Sequence, residues 1–477
     1  MIARGARIGI AALFGAASVN GQTTVRAPAA PAVDLPAIKV ERHTLPNGLA
    51  VILHENHMAP VVTVDVWYHV GSKNEMMGRT GLAHLFEHMM FEGSANVEPG
   101  QHRLIIQSVG GVFNQVTTED RTSYYAMVPS NHLETLLWLE SDRMATLLSR
   151  LDQTRLDAER EIVKNERRTT IENQPFGLAN EITVSSVFPP DYPYSWSVMG
   201  SMSDLSAASL DDVRSFFRTY YAPNNATLVI TGNFVPAEAK RLVEKYFAPI
   251  PRGPVVPRPS MPSIQLPEEK RLVLEDARSR TAQFRIAWPT IGNGHRDLHV
   301  LQTLASVLTL DRTSRLTKAL VYDRQLATSV TAVNFDFENR NAGLFQISVT
   351  PRANASLTEI ERVVDSVIAG VQLAPPTARE IQRARNFANV STVTGLQYGL
   401  TRAERLAQGE VFDKNPLWFV SMLRDYTRIT PADVQRAAKN YLTSGRVVLS
   451  MVPAGSLEQI AKPGAPFVNV TPGKSGS

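Results

Sequence analysis

Between residues 251 and 267 the chain carries six prolines, Pro251, Pro254, Pro257, Pro259, Pro262 and Pro267, and the stretch beyond them begins as the first half began. Proline fixes φ and has no N–H to give, so this segment cannot lie inside a helix and reads as an extended linker. Laid without gaps over residues 271–292, residues 50–71 place Leu53 on Leu274, Trp67 on Trp288 and Gly71 on Gly292, with Glu55 facing Asp276. Such a match implies a diverged duplication, and one fold must then occur twice. The expected bounds are homologous domains at 37–250 and 269–453 joined by a linker at 251–268. Residues 454–477, rich in Gly, Pro and Ser, are expected to form a flexible tail. A length of 477 residues independently calls for more than one core.

Within the first half, Pro46-Asn47-Gly48 precedes an apolar run and signals a hairpin. Alternation rich in valine predicts strands over 61–70 and 123–128, with another over 228–232. Helices are expected over 81–91, 104–109, 132–148, 151–172 and 238–246. Such alternation describes an α+β fold or an α/β sandwich, a sheet covered by helices. The apolar (43%) and charged (20%) fractions are those of a globular protein. A net charge of +4 without basic clusters speaks against nucleic acid as a partner. There is no cysteine, which excludes disulfides, thiolate metal sites and a cysteine nucleophile, so a transition metal must be held by His, Asp or Glu.

At the N-terminus Arg4 and Arg7 precede an apolar run over 8–19, about a dozen residues and too short to cross a bilayer of about 30 Å. This pattern predicts a signal peptide at 1–21, a disordered leader at 22–36 containing Pro28, Pro31 and Pro36, and a periplasmic mature protein. No other stretch approaches the roughly 18 apolar residues of a membrane span.

His84-Leu85-Phe86-Glu87-His88 carries the strongest chemical signal. On a helix, His84 and His88 project from one face a turn apart and can bind one metal, with Glu87 beside them as a base. This is the inverted form of the zinc-peptidase motif. The apolar residues around the trio, Leu82, Ala83, Leu85, Phe86, Met89, Met90 and Phe91, are those of a buried helix, whose polar groups need partners. Zinc also needs a third protein ligand, and a later helix offers carboxylates. Glu159 and Glu166 lie seven residues apart on one face, whereas Glu161 points elsewhere. A solvated helix laced with ion pairs would explain the same charges.

Taken together these motifs resemble the pitrilysin and mitochondrial-processing-peptidase family of inverzincins, in particular its small bacterial members. The resemblance runs through Leu45-Pro46-Asn47-Gly48-Leu49, the segment from Gly81 through His84, Glu87 and His88 to Ser94, and Gly110-Gly111-Val112-Phe113-Asn114. It continues through Thr122-Ser123-Tyr124-Tyr125, Glu140-Ser141-Asp142-Arg143-Met144, the Glu159 to Glu166 segment and Tyr221-Ala222-Pro223-Asn224-Asn225-Ala226-Thr227-Leu228.

The resemblance implies one zinc ion per chain on His84, His88 and Glu166, support of that site by Glu159, and Glu87 as the catalytic base. It implies two homologous α/β sandwich domains per chain, half of a clamshell that takes short or unfolded peptides. Asn114 matches the family's substrate-binding edge strand, while Gln115 departs from the Asn-Ala pair found there. A second departure lies beyond the linker. With Ser314-Arg315-Leu316 as anchor, the positions of an arginine and a tyrosine that reach across to the metal site are held by Val321 and Thr328. Arg324 and Tyr322 stand nearby in the wrong order. The implied protein is the catalytic subunit of a heterodimeric zinc endopeptidase, completed by a homologous chain that lacks the metal motif and carries the pair. Two other readings are a non-catalytic assembly subunit and a metal-dependent hydrolase of non-peptide substrates. The intact His–Glu–His group counts against the first and Asn114 against the second.

Overall fold

A computed structural model describes residues 38–258 and 261–471. The expected signal peptide and leader lie outside the described residues.

Two six-stranded open sheets carry the architecture. The first comprises β1 (Glu41–Thr44), β2 (Ala50–Glu55), β3 (Val61–Tyr68), β4 (Val112–Thr117), β5 (Thr122–Pro129) and β6 (Ala226–Gly232), ordered β1-β2-β6-β3-β5-β4. The second comprises β7 (Lys270–Asp276), β8 (Gln283–Thr290), β9 (Ala327–Asp336), β10 (Gly343–Pro351), β11 (Val447–Pro453) and β12 (Val468–Asn469), ordered β12-β7-β11-β8-β10-β9. The pairs β2–β6 and β7–β11 are parallel, and the next three pairings in each sheet are antiparallel. The repeat seen in the sequence is thus a repeat of topology, with β2 and β3 standing where β7 and β8 stand. Its glycines have a steric reason. A Cβ on Gly71 would lie 2.2 Å from the carbonyl oxygen of Thr118, and one on Gly292 would lie 2.2 Å from that of Ala342.

Both faces of each sheet are covered, which is why β3 is buried along nearly its whole length, Thr63 and Asp65 included. In the first sheet Val51, Leu53, Val66, Leu228 and Ile230 face helices of the same half. The other face, with Ile52, Trp67 and Val229, is covered by Ala403, Leu406, Ala407 and Val411 of the helix Gly399–Asp413, beyond the linker. The second sheet receives the reciprocal cover: Ala179 and Val187 of the helix Ala179–Val187, with Phe188 and Tyr194, pack on Leu272, Leu274 and Ala287. Neither half is a self-contained sandwich, because each lends a helix to the other's sheet. Arg42 and Glu410 add a two-pronged ion pair across the same boundary, at 2.7 and 2.8 Å.

The linker residues 251–258 and 261–268 contain neither helix nor strand. They are held by the Asn pair that precedes β6. Asn224 accepts from the Gly253 N–H at 2.7 Å and donates to the Pro254 carbonyl at 2.8 Å, and Arg258 donates to Asn225 Oδ1 at 2.6 Å.

The expected flexible tail needs correction over 454–471. Val468–Asn469 pairs with Leu272 and Val273 of β7, Ile460 and Ala461 are buried, and Asn469 donates to Glu275 at 2.9 Å. Without this strand β7 would be an open edge with unpaired main-chain groups. Composition conceals such a strand because two residues carry no periodicity.

Candidate metal centre

The helix Leu82–Met89 starts at Gly81, whose φ of +89° is readily adopted only by glycine. Its first amides are satisfied by a buried carboxylate from the preceding loop. Glu75 accepts from the Gly81 N–H at 2.9 Å and the Ala83 N–H at 2.7 Å at the positive end of the helix, while burial raises its pKa well above the usual carboxylate range. Leu85, Phe86 and Met89 lock the helix into the first core. His84 and Glu87 are buried and His88 nearly so, and the two imidazole rings lie 4.9 Å apart at 73°.

The carboxylates arrive on the helix Gln153–Arg167, capped by Asp152, which accepts from the Arg155 N–H at 2.9 Å. Two turns separate Glu159 from Glu166, and both reach His88. Glu166 Oε2 lies 3.2 Å from His88 Nε2 and 4.0 Å from His84 Nε2, while Glu159 Oε2 lies 3.3 Å from His88 Nδ1. Glu161 faces solvent and pairs with Lys164 at 2.8 Å. Beyond Glu166 the helix widens into a π-helical stretch over Arg168–Glu172, where the Thr170 hydroxyl donates to the Glu166 carbonyl at 2.7 Å. Arg167, gripping Glu181 at 2.7 and 2.9 Å, fixes the end of this arm.

Electrostatics prepare the group for a cation. Burial, and then the neighbouring His88, push the His84 pKa down to about 3, so its imidazole is neutral with a lone pair to give. Burial also acts to lower His88, but the hydrogen bond and charge of Glu159 outweigh it and raise its pKa. Glu87 is raised by burial against the Thr117 hydroxyl and the charge of His88. Glu92 is raised by burial and by the nearby Glu159 charge. His84 Nδ1 is buried without a hydrogen-bond partner. Two imidazoles and one carboxylate, partly dry and converging, fit zinc, whereas calcium or magnesium would call for oxygens throughout.

The structure therefore brings together His84, Glu87, His88, Glu159 and Glu166. Of these, His84, Glu87 and His88 offer ligand atoms within 4.8 Å of one another. Asn114 it does not bring in. Asn114 sits exposed on β4, an edge strand, with its side chain on the face opposite Phe113 and Thr117. Sequence reasoning missed Glu75 and Thr117. Neither belongs to a motif with a fixed spacing, and only the folded loop and hairpin bring them to the helix.

Beyond the linker, Val321 packs against the second core and the Thr328 hydroxyl donates to the Thr350 carbonyl at 3.1 Å. Arg324 is spent on Glu359 at 3.2 Å, Arg315 on Glu380 at 2.7 and 3.0 Å, and the Tyr322 ring lies under Arg312. No helix among the described residues is long and apolar enough to cross a membrane.

Comparison with known proteins finds relatives along most of the chain. Residues 50–184 match the family model of insulinase (peptidase family M16), and residues 207–387 match that of the peptidase M16 inactive domain. The zinc protease PqqE of Helicobacter pylori is 28% identical over 84% of this chain and 90% of its own. A protease structure from Helicobacter pylori superposes with a TM-score of 0.82 at 23% identity, covering 88% of this chain and all of that one. The periplasmic protease PqqL of Escherichia coli superposes with a TM-score of 0.75 at 16% identity, over 90% of this chain but 49% of PqqL. The two matches together run from β2 into the second half, the first of them spanning His84, Glu87, His88, Glu159 and Glu166, and the chain belongs to peptidase family M16.

Proposed function

We propose that the chain is a zinc-dependent endopeptidase subunit acting on short or unfolded peptides, with His84, His88 and Glu166 as metal ligands and Glu87 as general base. The observation that carries this reading is the convergence of those four side chains beside the free edge of β4. When bound, zinc polarises the scissile carbonyl and makes water a nucleophile near neutral pH. Glu87, whose pKa burial raises, takes the proton of the attacking water and passes it to the departing amine. Glu159 holds the His88 Nδ1–H, which turns Nε2 toward Glu166, where it would serve as a ligand. Glu159→Gln is accordingly expected to weaken zinc binding by about 10- to 100-fold, measured by competition with a chelator; unchanged affinity would remove Glu159 from the site.

The ladder of β4 indicates how a peptide would lie. The Thr118 N–H donates to the Arg121 carbonyl at 2.8 Å, so by alternation Asn114 and Val116 spend their main-chain groups on β5. Those of Phe113, Gln115 and Thr117 then point to the free edge. A substrate added there as a strand is held through its backbone, which reads little sequence. Peptide turnover exceeding ester turnover is the expected comparison for this mode, and the reverse would favour a hydrolase of other substrates.

In the second half, the expected arginine and tyrosine positions hold a half-buried valine packed against the second core and a threonine engaged with its own sheet. PqqL, whose single chain is about twice as long by the matched share, gives a precedent for this fold occurring as one half of a longer protein. The chain is on this reading one half of a heterodimer, its partner a homologue lacking the metal motif and bearing the pair. The opposite assignment, a non-catalytic subunit, draws on the inactive-domain match, but that match spans 207–387 and leaves out His84, Glu87, His88, Glu159 and Glu166. We place the mature protein in the periplasm, starting near Gln22. N-terminal sequencing of native protein checks this, and an intact Met1 would contradict it.

A further inference from the structure

Thr117 closes β4, and its hydroxyl donates to Glu87 Oε2. We infer that Thr117 is a positioning residue for the base: it holds one oxygen of the Glu87 carboxylate so that the other is presented to the attacking water. The inference rests on the peptidase reading above and adds a residue to it.

A threonine hydroxyl has one proton to donate, and of its two acceptors here Glu87 Oε2 is much the nearer. The other, Thr122 Oγ1, lies 3.5 Å away and gives its own proton to the Val70 carbonyl at 3.0 Å. Thr117 is also held still. It precedes a tight hairpin in which the Thr118 side chain accepts from the Asp120 and Arg121 amides, both at 3.2 Å, and its cross-strand neighbour Thr122 is wholly buried. A β-branched side chain on such a strand has little rotamer freedom. Glu87, by contrast, is a long side chain whose carboxylate must stay aimed. Of the side-chain hydrogen bonds among the described residues, the one that reaches it comes from Thr117, whose main-chain N–H adds a weaker contact to the same carboxylate.

The consequence reaches further than orientation. Thr117 belongs to the strand on which the substrate would lie, so the base and the peptide share one frame. A displacement of β4 would carry both together, and the distance from base to scissile bond would survive it.

Thr117→Val removes the donor and keeps the shape, whereas Thr117→Ser keeps the donor. With zinc loaded and the partner subunit present, T117V is expected to lose about 10- to 100-fold in kcat, as loss of a hydrogen bond to a charged group implies, with KM and zinc content unchanged. T117S should recover most of the loss. Crystal structures of the zinc-free variants give a readout independent of turnover: Glu87 Oε2 should leave its place in T117V and keep it in T117S. Wild-type kcat in T117V, a T117S no better than T117V, or an unmoved Glu87 in the zinc-free T117V structure would each overturn the inference. If the wild-type chain with zinc and partner cleaved no peptide, the peptidase reading itself would fail, and the zinc-free structures would still decide whether Thr117 holds Glu87.

Discussion

Glu87→Gln is expected to abolish peptide hydrolysis, with a loss of about 10²- to 10⁴-fold in kcat/KM, the range over which a positioned acid–base group contributes. Glutamine keeps the volume and can still accept from the Thr117 hydroxyl through its amide oxygen, so the helix Leu82–Met89 should pack unchanged. What it lacks is the capacity to take a proton. The check is turnover of an unfolded peptide under conditions in which the wild-type chain is active. Near-wild-type turnover in E87Q would mean that another group is the base. Glu92 would be the first to examine, since its pKa is also raised by burial and the neighbouring Glu159.

The second large effect concerns the proposed partner subunit. Removing an oxyanion-type donor typically costs about 10²–10³ in turnover, and neither of the two expected positions offers one: Val321 has no donor and the Thr328 hydroxyl serves its own sheet. The purified chain should therefore bind zinc and cleave peptides slowly, and gain about 10²- to 10³-fold when mixed with a homologue bearing the arginine and tyrosine. Full activity of the chain alone, unmoved by such a partner, would show that two copies of this chain suffice. The register that puts Val321 and Thr328 at the two positions would then be wrong. Tyr322 or Arg324, both close to the surface, would become the candidates.

How much of the fold and site is legible in the sequence differs by the kind of interaction. Spacing carries the metal helix, because four residues on a helix return to the same face and no tertiary fact is needed. The same reasoning places Glu159 and Glu166 on one face of a later helix, but cannot say that this face turns toward His88. That requires the resemblance, and the folded distances to His88 give it a geometric basis. The duplication is visible in Trp67 and Trp288, buried anchors of equivalent strands, and in Gly71 and Gly292, where a side chain has no room. The hidden part is long-range. Nothing in residues 399–413 announces that they cover the first sheet, since an amphipathic helix records that it is covered and not by which half. Glu75 at the helix start and Thr117 beneath the base belong to the same class. Each is an ordinary loop or strand residue until the fold gives it a partner.

The division of labour between ligands and base is the centre of the account, and zinc content separates the two most directly. Metal analysis of the wild-type chain and of E87Q, each purified and dialysed alongside H84A, should give one zinc per chain in the first two and none in H84A. His84 is the buried, neutral imidazole on which that result depends. Zinc lost from E87Q as completely as from H84A would make Glu87 a ligand rather than a base. Zinc retained in full by H84A would place the metal elsewhere and contradict the account.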